Sequence, residues 1–158
     1  MRYREREDEG LSVLDRLLMS SEAPGDVGLS GDWILHSIAR DLQTLMNCRR
    51  KEEAALAEYP EISRSILNFG MPALGGYGHI GTPAEQLRLS RAMEEAIRTF
   101  EPRLQRVEVR VLDAETQQRQ FVRFRLEANV EGLGMREIFE MRLKPETGEM
   151  TVASGGAG

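Results

Sequence analysis

The chain has 158 residues and a net charge of −5, with 41% hydrophobic and 30% charged residues. That length suits one domain, which at this size buries roughly 70% of its unfolded surface and needs no covalent staples. The acidic balance argues against general nucleic-acid binding, which needs net or clustered positive charge.

In chain order, residues 1–10 are expected to be a mobile charged N-terminal arm, with almost nothing to bury. Leu11, Leu14 and Leu18, with Val13 and Leu17, recur at helical spacing and predict a short amphipathic helix. Pro24, Gly25, Gly28 and Gly31 mark a loop. From Asp32, an expected N-cap, to Cys48, the apolar residues Ile34, Leu35, Ile38, Leu42, Leu45 and Met46 predict a strong helix. Arg49, Arg50 and Lys51 suit its C-terminal end. A short helix is expected over 52–58, before Pro60, and a helical turn over 63–68 that ends near Gly70. Residues 71–81 read as loop. Thr82-Pro83-Ala84-Glu85 is a capping box with proline at the first helical position. The helix it opens buries Leu89, Met93, Ala96, Ile97 and Phe100, and stops at Glu101 because Pro102 follows.

Beyond Pro102 the period falls to two. Val107, Val109 and Val111 alternate with Arg106, Glu108 and Arg110. Val122, Phe124, Leu126, Ala128 and Val130 alternate with charged or polar residues, as do Phe139, Met141 and Leu143. Short turns separate these runs, and Met150–Val152 can pair back before a flexible tail at 153–158. The expectation is an α+β two-layer domain over 11–152, with N-terminal helices packed on a three- to four-stranded antiparallel sheet. The apolar sheet face should meet the helices and leave the charged face outward.

Little of this pattern points to catalysis or a cofactor. The lone Cys48 cannot make an internal disulfide, and with only His36 and His79 beside it a zinc site has too few ligands. No run approaches the ~18 apolar residues of a membrane span. The charged start is no secretory signal, which predicts a cytosolic protein. Gly76-Tyr77-Gly78-His79-Ile80-Gly81 matches a dinucleotide-binding string, but no strand precedes it and no βαβ unit follows. It reads as a loop. His36 reads as a surface or boundary residue, and His79 has no paired nucleophile. Of the 21 positive residues only Lys51 and Lys144 are lysines. Codon bias alone accounts for such a choice; the other reading is a surface built for planar, bidentate contacts.

The most distinctive local string is Glu101-Pro102-Arg103-Leu104, where the long helix meets the first strand. Proline holds the backbone, so acid and base stand at a rigid corner. They can bridge locally, cap the helix, or offer a fork to another chain; solvated charges are the plainer alternative.

With this string the chain resembles the TssE family, the baseplate subunits of bacterial type VI secretion systems. These are related to phage-tail baseplate wedge proteins, some labelled "lysozyme-like". The resemblance rests on an ordered set spread over residues 11–152. Its pieces are Leu14-Asp15-Arg16-Leu17, Asp41-Leu42 with Leu45 to Arg50, Ser65 to Pro72, and Ile97 with Phe100 to Leu104. One departure is Cys48, where threonine is expected before the paired arginines.

The resemblance implies a scaffold without cofactors. Such a subunit is similar in fold to part of the sheath protein and sits in the cytoplasm, in a baseplate near the inner membrane. Glu101, Pro102 and Arg103 would grip the helical core bundle of TssF and TssG. The TssB–TssC sheath would begin to polymerise on the subunit, by adding a strand to an exposed sheet edge; TssK would be reached indirectly. Membrane insertion is not implied. The lysozyme label implies a different function, peptidoglycan cleavage with Glu101 as the acid, but the sequence holds no motif for a pair of placed carboxylates.

Overall fold

The computed structural model describes residues 31–50, 59–73, 82–112 and 121–155. The expected helices at 11–19 and 52–58, the glycine-rich string with His79, and the turn at 113–118 lie outside the described residues.

Among the described residues, two α-helices and four strands follow in order: α1 (Gly31–Asn47), α2 (Pro83–Phe100), β1 (Leu104–Val111), β2 (Val122–Val130), β3 (Arg136–Lys144) and β4 (Glu149–Gly155). The strands form one antiparallel sheet in the order β1-β2-β3-β4. This is the meander that short turns dictate, because antiparallel neighbours need no crossover. The helices cover one face, as the α+β expectation requires.

Local chemistry explains each boundary. The helix α1 starts one residue before the expected cap, so Asp32 lies in the first turn and not at the N-cap. There its charge still favours the positive end of the helix dipole. Arg49 Nη1 donates to the carbonyl of Met46 at 2.9 Å, satisfying an acceptor at the other end. The helical turn expected at 63–68 is two 3-10 turns, Pro60–Arg64 and Ile66–Asn68. Ser65 divides them, and its hydroxyl accepts from Leu67 N. Ile66 and Leu67 do not enter the core; Ile66 is 87% exposed.

At the start of α2 both halves of the capping box are made: Thr82 Oγ1 accepts from Glu85 N, and Glu85 Oε2 from Thr82 N. Thr82→Ala is therefore expected to cost about 1 kcal/mol. Thermal melting of this variant beside wild type would measure the loss.

The core lies between helices and sheet. Ile38, Leu42, Leu45 and Met46 of α1 and Leu89, Met93 and Ile97 of α2 are buried with Phe124, Leu126, Phe139, Met141 and Leu143. Phe100, expected in the same stripe, is half-buried at the margin.

Two strand details depart from simple alternation. A bulge shifts the β1–β2 register between Gln105 and Glu108, and Arg106 takes a positive φ of 52° to make it. At the other end, Ala153, Ser154 and Gly155 are not tail. They continue β4, with Gly155 opposite Ile138, because β3 is long enough to supply partners.

Candidate functional site

The corner after α2 is knitted by its backbone. Glu101 N donates to Ile97 O at 2.8 Å and closes the helix, and Leu104 N donates to Glu101 O at 3.1 Å. Arg103 O accepts from Glu131 N at 2.8 Å, tying the corner to the turn after β2.

Its charged side chains turn inward. Arg103 Nε donates to Glu101 Oε1 at 2.7 Å and Nη2 to Oε2 at 2.5 Å, a two-pronged fork. Nη2 also reaches Asp41 Oδ2 at 2.7 Å, and Nη1 reaches Ser37 Oγ at 3.1 Å. Asp41 in turn accepts from Arg40. The Arg103 side chain is 12% exposed and that of Glu101 6%. Burial by itself pulls the Arg103 pKa down. The hydrogen bonds and charges of Glu101 and Asp41 outweigh it, and the guanidinium is held more firmly protonated than usual. Only Pro102 of the three stands exposed.

Of the arrangements open to the acid and base, the local bridge is the one adopted. It extends further than the corner, because Arg103 locks the α2–β1 junction onto α1. Sequence reasoning missed Ser37 and Asp41 as its partners. Their signal was present: four residues apart, they share one helix face beside Ile38 and Leu42.

Other pieces of the motif set meet nearby. Cys48 O accepts from Met71 N at 2.9 Å, and Arg50 N donates to Met71 O at 3.0 Å, an isolated parallel bridge. Gly70 makes the approach possible. It has a φ of +114°, and a Cβ there would lie 2.7 Å from Cys48 O. Phe69 packs edge-on against Phe100, with ring centroids 5.3 Å apart. Cys48 itself is partly buried, and His36 is exposed on α1.

The sheet edges, expected to be open, are covered in part by helix side chains. On β4, Asn47 Nδ2 donates to Met150 O and its Oδ1 accepts from Met150 N. Gln43 Oε1 accepts from Val152 N, and Arg49 Nη2 donates to Gly148 O. On β1, Glu94 Oε1 accepts from Val109 N and Arg98 Nη2 donates to Val107 O. Such cover blunts an edge against unwanted pairing. Among the described residues, this cover stops short of Val111 on β1 and Ser154 on β4.

A family model described as baseplate wedge protein gp25 matches residues 34–133. The chain belongs to this family. TssE is its homologue in type VI secretion systems. The matched stretch spans the Arg103 network from Ser37 to Glu131 and includes Gly70 and Phe100. Family membership points to a structural role in a baseplate, with other baseplate components as neighbours. No curated protein and no solved structure matches the chain significantly. Among the described residues, no helix is long and apolar enough to cross a membrane.

Proposed function

We propose that the chain is a baseplate subunit of a type VI secretion system, joining the TssF–TssG core bundle to the TssB–TssC sheath and starting sheath polymerisation. The observation that carries this reading is the wedge-family match over residues 34–133. In this proposal the subunit works in the cytoplasm beside the inner membrane, where the baseplate assembles.

Glu101, Pro102 and Arg103 form the contact with TssF–TssG. The inward fork supports a division of labour. Glu101 and Arg103 hold the corner rigid, and Pro102 meets the partner with little conformational freedom left to lose. The sheath strand would add where helix side chains leave an edge uncovered, at Val111 of β1 or Ser154 of β4.

The role is that of a scaffold and not of an enzyme. A glycosidase needs two carboxylates flanking the sugar bond, one of them a proton donor. Both Glu101 oxygens accept from Arg103, whose guanidinium lies between Glu101 and Asp41.

Pro102→Asp tests the contact without touching the buried fork. The variant is expected to keep its circular dichroism spectrum, with a melting temperature lowered only slightly by the lost proline constraint, while its association with purified TssF–TssG weakens about tenfold or more, roughly 1.4 kcal/mol. Normal affinity in a folded variant would show that the corner is not the contact.

A further inference from the structure

The sheet face turned away from the helices carries two adjacent rows of side chains. Arg110, Arg125, Glu140 and Ala153 stand side by side across β1 to β4. In the next row Arg123 opposes Arg142, which opposes Thr151, and Leu112 N donates to Arg123 O at 2.9 Å. Among the described residues of these two rows, four arginines stand with one glutamate.

Two pairs of like charges, Arg110 with Arg125 and Arg123 with Arg142, are directly opposed, an arrangement that weakens a sheet. The acids beside them are unevenly placed. Arg110 pairs with Glu108 at 2.7 Å, but Arg142 approaches Glu140 no closer than 4.0 Å. The Arg125 Nε–H is buried with no partner, and such a group costs about 1–3 kcal/mol. Both the opposed arginines and the orphaned Nε–H cost the sheet stability.

Two apolar side chains lie at the same end of the sheet: Leu112 is 39% and Phe121 44% exposed. Arginine beside exposed aromatic and aliphatic groups is the composition of a protein-binding hot spot.

We propose that this half of the outer sheet face, Arg110, Arg123, Arg125 and Arg142 with Leu112 and Phe121, docks an acidic, partly apolar segment of a protein partner. Carboxylates of that segment meet the exposed guanidinium groups of Arg110 and Arg142, whose side chains are 63% and 59% accessible. An apolar residue of the segment covers Phe121 and Leu112. The exposed Leu112 and Phe121 beside the arginines suit a segment that carries apolar side chains as well as carboxylates. The surface is separate from the Pro102 corner, so the inference stands independently of the baseplate reading.

The test is a fluorescence-anisotropy titration of the whole chain. The probes are a short capped peptide of glutamates interrupted by phenylalanine and leucine, its lysine counterpart, and a single-stranded oligonucleotide. The glutamate peptide is expected to bind saturably and more weakly as salt rises. The double variant Arg123→Gln/Arg142→Gln should weaken it about tenfold. Phe121→Ser, at an exposed position that leaves every charge in place, should weaken it as well. Arg91→Gln, on an exposed part of α2, should not. Circular dichroism confirms that each variant is folded. The proposal is overturned if the glutamate peptide does not bind, if its binding survives both patch variants, or if the lysine peptide binds equally well. Tighter, arginine-dependent binding of the oligonucleotide would overturn it too, by making the patch a phosphate surface.

Discussion

Arg103→Ala is expected to lower the unfolding free energy by about 3–5 kcal/mol, the usual cost of leaving one charge of a buried pair alone. The stranded group is Glu101, 5% exposed, whose two oxygens both accept from Arg103. Ser37 and Asp41 would lose the same partner at once. Urea denaturation followed by circular dichroism measures the effect. A loss below about 1 kcal/mol, the range of exposed pairs, would show that the network is not holding the corner. Arg103→Lys should recover only part of the loss, because a point charge cannot fork onto a carboxylate and reach two further oxygens. The double variant Glu101→Leu/Arg103→Met should lose less than Arg103→Ala, since no buried charge is then left unpaired on that side. This bears on function: an assembly defect of Arg103→Ala would mix lost contact with lost folding. Pro102→Asp separates the two.

Gly70→Ala is the second large effect, expected at about 2–4 kcal/mol, from backbone strain at positive φ together with a contact that must be relieved. The new Cβ would stand 2.7 Å from Cys48 O, a backbone atom that cannot swing away as a side-chain tip could. The same oxygen accepts from Met71 N, so relief of the clash opens the bridge to Arg50 as well. Gly132→Ala is the comparison. It also has positive φ, +88°, but a Cβ there meets nothing within 4 Å. Its loss should be smaller, about 1 kcal/mol. Equal losses at the two glycines would mean that φ alone matters and that the close approach to Cys48 costs nothing. Chemical denaturation of both variants under one set of conditions decides between these.

Much of the architecture was legible in the chain because its signals are local. Thr82, Pro83 and Glu85 specify a helix start whatever the rest of the protein does. Pro102 specifies where that helix ends. The alternation of Phe124, Leu126 and Ala128 with arginine, glutamate and asparagine marks a strand with one buried face, and all three are fully buried. Other features were misjudged for the same reason. Ser154 and Gly155 look like tail because nothing in their own composition asks for a strand; β3 supplies the reason. Phe100, expected in the buried stripe of its helix, lies half-buried at the margin, where its ring meets Phe69 edge-on.

The candidate site divides along the same line. The Glu101-Pro102-Arg103 string could be picked out as a rigid corner, and its place in an ordered motif set led to the wedge family. Where the charges point could not be read. Asp41 lies 62 residues before Arg103 and Ser37 lies 66 before it. The cover on the β4 edge comes from residues more than 90 positions away.

By itself the sequence determined an acidic, arginine-rich α+β domain, the boundaries of its long helix, the two faces of its sheet and its family. Periodicity, capping and turn chemistry act within a few residues and survive any arrangement of the elements. The tertiary structure alone decided that Arg103 is held internally, that Gly70 must be glycine, and that arginines oppose arginines across β1, β2 and β3. These depend on how α1 seats against the corner and how the strands register, and distances of a few ångströms between remote residues are set only when the core packs.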